Sequence, residues 1–193
     1  MKADTKISII IIATTIVILA IIIVFFQRIK QSILGMITDN YFTLDELTYS
    51  KTAKTNSIDN TPSVIAESNL IALRDNILNP ARRQLGSCIY VNSGYRSPQL
   101  NAIIPGASAT SQHCTGEAAD IDTRSIKKNK QLFEILVSLG NFDQLIWEGN
   151  GAWIHVSYKA SGYNRHRILA QTQTGYTDIT STWQTYIRLE NNL

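Results

Sequence analysis

Hydrophobic and polar positions divide this chain into stretches of very different texture. Residues 7–26 read ISIIIIATTIVILAIIIVFF, 20 residues without a charge. That is long enough to cross a bilayer core as a helix, and helix is the form a single lipid-embedded segment must take. The stretch ends in Phe25-Phe26-Gln27-Arg28 without small cleavage-site residues, so an uncleaved anchor is expected rather than a signal peptide. In FTLDELTYS (42–50), Thr43 with Glu46 three residues on predicts a capped helix start. Residues 51–63 are polar and turn-rich. Ala66, Leu70, Leu73 and Ile77 recur at intervals of four, three and four, one face of a helix over 64–79, with Pro80 marking its end or a kink.

Further on, CIYVN (88–92) reads as a short strand, GYRSP (94–98) as a turn, 99–117 as a long loop and EAADID (117–122) as extended chain. QLFEILVSLG (131–140) carries paired apolar positions at helical spacing and stops at Gly140. FDQLIWE (142–148) and AWIHVSY (152–158) flank Gly149-Asn150-Gly151 and predict a hairpin. After 159 the chain is polar, apart from Ile168-Leu169 and Trp183, Tyr186 and Ile187. The fold class expected is α+β, a small antiparallel sheet with helices packed on one side, preceded by one transmembrane helix. The expected divisions are an anchor over 1–30, a juxtamembrane linker over 31–41, a main domain over 42–170 and a C-terminal extension over 171–193.

Charge refines this picture. The formal net charge is +3, but Lys2, Lys6, Arg28 and Lys30 flank the apolar stretch against Asp4 alone, leaving 14 basic and 14 acidic residues from 31 onward. No basic face is implied, and nucleic acid is excluded as an expected partner. Cys88 and Cys114 form no metal-type pair; two small buried thiols are expected, with a disulfide as the alternative.

The candidate chemistry lies in two words. In SQHCTGEAAD, His113 and Asp120 stand seven apart with Gly116 between them. On an extended EAADID, Asp120 and Asp122 share one face; in AWIHVSY, alternation puts Trp153, His155 and Ser157 on one face and Ile154 and Val156 on the other. Two neutral imidazoles and a carboxylate suit zinc, with a fourth position left for water as in catalytic sites. The alternatives are a hydrogen-bonded core histidine and a turn aspartate.

FTLDELTYS, NPARRQLG, SGYRSPQLN, SQHCTGEAADI, FDQLIWE and WIHVSY together, over roughly residues 42–170, resemble the zinc D-Ala-D-Ala carboxypeptidase and L-alanyl-D-glutamate endopeptidase family, with its hedgehog-type metallopeptidase fold. The resemblance implies Zn2+ held by His113, Asp120 and His155, with Asp122 the lesser alternative to Asp120, and Arg96 in the active site. It also implies a catalytic acid shortly before the last histidine. Three residues before stands Ala152, so Glu148 is the expected base. Ser111 is a candidate to hydrogen-bond substrate or orient its loop, Asp143 and Ser157 to support ligand geometry, and His166 is expected to be no ligand. The substrate implied is the stem peptide of bacterial peptidoglycan. The domain is accordingly expected on the extracytoplasmic side of a single-pass protein that meets the bilayer through residues 7–26. The alternative is a non-catalytic zinc-binding module that holds wall peptides or a protein partner.

Overall fold

The computed structural model describes residues 14, 15, 17–29 and 40–189. The chain forms two units, Met1–Asn40 and Tyr41–Leu193.

In the first unit the described residues 14, 15 and 17–29 are helical. The transmembrane helix expected over 7–26 is overturned: no helix among the described residues is long and apolar enough to cross a membrane. Residues 7–13 and 16 of the expected span, and 31–39 of the expected linker, lie outside the described residues. The bilayer contact and the single-pass, extracytoplasmic placement fall with the span.

The second unit is α+β. Helices α1 (Leu44–Thr48), α2 (Lys51–Thr55), α3 (Val64–Leu73) and α4 (Asn79–Leu85) precede β1 (Tyr90–Ser93) and α5 (Pro98–Ile103). There follow β2 (Ala118–Asp122), α6 (Ile126–Leu139), β3 (Gln144–Glu148), β4 (Trp153–Ser157), β5 (Arg167–Thr172), β6 (Gly175–Asp178) and α7 (Trp183–Leu189). The sheet order is β1-β2-β4-β3-β5-β6, antiparallel throughout except for the β3–β5 pair.

Local chemistry accounts for the elements. Thr43 Oγ1 accepts from Glu46 N at 3.1 Å, and the Glu46 carboxylate accepts in return from the Thr43 amide, closing a capping box on α1. Ser50 caps α2, which the polar composition of 51–63 concealed. Pro80 does not end the helical run. Residues Arg74–Leu78 widen into a π-helical turn just before it, and Pro80 then opens α4 in its first turn, where a missing N–H costs little. Gly140, at φ 70°, terminates α6.

Strand alternation gives the sheet two faces. Ala119, Ile121, Leu145, Trp147, Ile154 and Val156 meet Leu70, Leu73, Ile77, Leu132, Phe133 and Leu136 of the helices in one apolar core. Phe133 and Trp147 pack edge to face, their centroids 5.5 Å apart. Ile168, Ala170, Ile179 and Ile187 join the same core, so the sheet and its packing run on through β6 and α7. The opposite face carries Asp120, Asp122, His155, Glu148 and Gln144.

Candidate metal centre

Three backbone segments bring the candidate side chains together, and two glycines let them approach. β1 ends at Ser93, and Gly94 begins the turn into α5. A Cβ on Gly94 would lie 2.0 Å from the Leu47 carbonyl oxygen, so the end of α1 sits directly against this turn and only glycine fits. Tyr95 N donates to the same Leu47 oxygen at 2.8 Å. Asn60 stitches the turn further, donating to Tyr95 O at 3.1 Å and accepting from Ser97 N at 2.7 Å. The second segment is a 3-10 turn, Gln112–Thr115, that carries His113. Ser111 caps it, and Gly116 closes it at φ 74°, with its α-carbon so near Ala66 O of α3 that a Cβ would stand 2.2 Å away. Arg96 N donates to His113 O at 3.1 Å, which fastens the first turn to the second. The third segment is the β2–β4 pair, whose register sets Asp120 directly across from His155.

The result is a convergence of three donors. His113 Nε2 lies 3.2 Å from His155 Nδ1 and 3.2 Å from Asp120 Oδ1, and His155 Nδ1 lies 3.0 Å from the same oxygen. His113 Nδ1 donates to the Gly94 carbonyl at 2.7 Å, so its proton is fixed there and the Nε2 lone pair faces the cluster. All three residues are buried or nearly so. Zinc held by N and O donors at ~2.0–2.1 Å separates tetrahedral neighbours by about 3.3 Å, so this donor set and spacing fit the ion with little adjustment.

The surroundings tune the cluster. Burial pushes the Asp120 carboxyl up, but the electrostatic pull of the His113 imidazole, then of His155, outweighs it and holds the group far below the usual carboxylate range. Arg96 Nη2 donates to Asp120 Oδ2 at 2.6 Å and its Nε donates to Ser93 Oγ at 2.8 Å, which orients the free edge of the carboxylate. Glu148, 9% exposed at the end of β3, stands on the same sheet face. Burial first, and then the Asp120 charge, raise its pKa; His155, Arg96 and a hydrogen bond from the Trp153 side chain oppose. A carboxylate with raised proton affinity beside three metal-type donors is suited to general base chemistry. His113, Asp120, His155, Arg96 and Glu148 line one open cleft of about 1480 Å³.

The sequence from residue 40 to residue 157 matches the model of the peptidase M15 family. The chain belongs to this family. A comparison with curated proteins returns no match. Peptidase M15 is the family of zinc D-Ala-D-Ala carboxypeptidases, and membership implies a zinc metallopeptidase. In this M15 chain His113, Asp120 and His155 form a group able to hold a metal ion.

The other predicted residues sort by their contacts. Ser111 caps the His113 turn, accepting from His113 N at 3.4 Å, and also lines the cleft. Asp143 is fully buried and does not touch the donors. It accepts from Arg165 Nε at 3.0 Å and from the Arg165 amide at 3.0 Å, and Arg165 Nη2 continues to Gln112 Oε1 at 3.3 Å. Asp143 is thus linked through Arg165 to Gln112, the residue before His113. Ser157 Oγ accepts from Gln144 N at 3.1 Å and bridges β4 to β3. Asp122 is turned to Asn92 and Arg124. Ala152 lines the cleft with a methyl group that accepts no proton. His166 packs against Phe142 and Tyr163. Both cysteines are free and neither is buried: Cys88 is exposed and Cys114 is half-buried. Sequence reading missed Arg165, Gln112, Gln171 and Tyr176. Arg165 sits in a polar stretch with no periodicity, and its partner Asp143 is 22 positions away.

Proposed function

We propose that this M15 peptidase hydrolyses a peptide bond in the stem peptide of bacterial peptidoglycan, with His113, Asp120 and His155 holding zinc and Glu148 as general base. The observation that carries the reading is the juxtaposition of the three converged donors with a buried carboxylate of raised pKa on one cleft floor. Bound zinc supplies Lewis acidity, which polarises a carbonyl and makes water more acidic. Glu148 accepts the proton of the attacking water and returns it to the departing amine. Arg96 keeps Asp120 in place through Nη2, and its remaining N–H groups are available to the negative charge that develops on the attacked carbonyl oxygen. Loss of such a donor costs about 3–4 kcal/mol in the transition state. Asp143, Arg165 and Gln112 brace the His113 turn, and Ser157 holds the β3–β4 pair that carries Glu148 and His155. A binding module without catalysis has no use for Glu148 at this position, and the vacancy of acid at Ala152 is answered by Glu148.

The size of the cleft bears on the bond. Sites for small ligands occupy about 300–1,000 Å³, and this one, about 1480 Å³, is open across the sheet. That favours the L-Ala-D-Glu endopeptidase type over the D-Ala-D-Ala carboxypeptidase type. Digestion of purified peptidoglycan by the full chain, read by mass spectrometry, is expected to release fragments cut within the stem peptide. A chelator should abolish them and added zinc restore them. Fragments lacking only a terminal D-Ala would assign the carboxypeptidase type instead, and an unaltered wall would refute the reading.

A further inference from the structure

The segment matched by the family ends at residue 157, but the cleft does not. β5 and β6 widen the sheet beyond β3, and register carries their side chains onto the face that holds the donors. Ile146 stands beside Leu169, Trp147 beside Ala170, and Gln171 opposite Tyr176. With side chains alternating along each strand, Glu148, Gln171 and Tyr176 fall in one row across three strands. All three line the cleft.

This row is fastened at its middle. Gln171 Oε1 accepts from Gly149 N at 3.0 Å, the amide that directly follows Glu148. The ribbon and the turn behind Glu148 are therefore held in fixed register by a side chain that lies outside the family-matched segment. Tyr176, at the far end of the row, is 55% exposed although it is a large aromatic side chain. Its ring points over the cleft rather than into the core, which lies under Ile168, Ala170 and Ile179. Partial burial, then the carboxylates of Glu148 and Asp120, keep its hydroxyl protonated and able to donate.

We propose that the β5–β6 ribbon is a substrate-recognition element: Tyr176 contacts the peptide on the Glu148 side of the cleft, and Gln171 is a positioning residue that keeps this contact in register with Glu148. The inference rests on the peptidase reading above and names the side of the cleft that peptide occupies. A tyrosine offers its ring face to the aliphatic part of a peptide and its O–H to a carbonyl or carboxylate, at little conformational cost. The occupant it fits is a peptide carrying an oxygen acceptor next to a short aliphatic group.

The test uses the full zinc-loaded chain and a synthetic stem pentapeptide, with dissociation constants measured by calorimetry in a Glu148→Gln background and kinetics measured with Glu148 intact. Tyr176→Ala should weaken binding and raise KM by about tenfold while kcat changes less than about threefold, the scale of one aromatic contact. Tyr176→Phe, which keeps the ring and guards against loss of folding, should cost about threefold. Gln171→Ala should raise KM when Tyr176 is present and add little when Tyr176 is already alanine, the non-additivity expected of residues acting together. Binding and KM within twofold of the parent in Tyr176→Ala would overturn the proposal, as would full additivity for the role of Gln171. A parent that binds the pentapeptide through Tyr176 but cuts nothing would sustain the ribbon and sink the peptidase reading. A parent that neither binds nor cuts would sink both.

Discussion

The two faces of the sheet are made from the same strands, one residue apart, and they are stabilised in different ways. On the core face, Ala119, Ile121, Leu145, Trp147, Ile154 and Val156 need only fill space against the helices. On the other, Asp120, Glu148 and His155 are nearly as buried, yet each polar atom has to be matched by a partner in a defined direction. His113 is oriented by Gly94 O, Asp120 by Arg96, and the turn after Glu148 by Gln171. The first face derives its stability from contact area, which many sequences supply. The second gathers two imidazoles and two carboxylates in a low-dielectric cleft, an arrangement that stability alone would not select. The difference teaches that one-residue alternation in a strand suffices to separate folding from chemistry.

That contrast breaks most sharply at Glu148. Glu148→Gln should lower kcat by about 10²–10⁴-fold, the usual contribution of a general base, while zinc content and unfolding midpoint stay near those of the parent. Retained turnover would remove Glu148 from the mechanism. Because burial and the Asp120 charge raise the pKa of Glu148, its carboxyl in the zinc-free chain should titrate above the ordinary glutamate value of 4.5, followed by NMR. A titration at or below that value would contradict the environment assigned to Glu148.

On the core face the converse is expected. Trp147→Ala should destabilise the fold by about 3–5 kcal/mol, as large aromatic truncations do, measured by denaturant unfolding. The folded fraction should still bind zinc in full stoichiometry. Zinc loss in a folded Trp147→Ala chain would show that the faces are not separable.

The smallest effect lies where the faces meet. Arg165 holds the buried Asp143 carboxyl below its ordinary value, against the upward push of burial. A depressed folded pKa gives stability that is present above the unfolded value near 3.8 and is lost as pH falls through the folded one. Glu148 has the opposite sign: its raised pKa favours the folded state below the unfolded value, and that advantage is lost as pH rises through the folded one. The parent should therefore be more stable than Asp143→Asn at neutral pH, with the gap closing below about pH 3.8. A gap constant from neutral to acid pH would assign the role of Asp143 to packing alone.

Much of this was legible in the sequence wherever a signal was local. Thr43 and Glu46 marked the first cap, the spacing from Ala66 to Ile77 marked α3, and alternation in AWIHVSY put His155 and Ile154 on opposite faces. The hairpin was readable from the Gly149-Asn150-Gly151 break, and the three donors stood in words specific enough to name. What stayed hidden depended on pairing between distant segments. The π-helical turn before Pro80 resolves a conflict between a proline and helix packing that periodicity does not reveal. β5 and β6 lie in a polar tail, because Arg167, Gln171, Tyr176 and Asp178 break the apolar alternation on the face that holds the site. Arg165 matters only because Asp143 lies beside it in space. The apolar run at the N terminus misled in the other direction: composition predicted a membrane span, and no helix among the described residues has the length and apolarity to make one.

The central claim is that His113, Asp120 and His155 hold one zinc ion with a position left open towards the cleft. Equilibrium dialysis of the full chain against buffered zinc tests it most directly, with His155→Ala as the comparison and circular dichroism to show that both chains are folded. The account predicts one zinc per parent chain and a loss of affinity of at least about 100-fold in the variant, on the order of 2.7 kcal/mol or more. A folded parent that takes up no zinc, or a variant that binds it as tightly, would contradict the account.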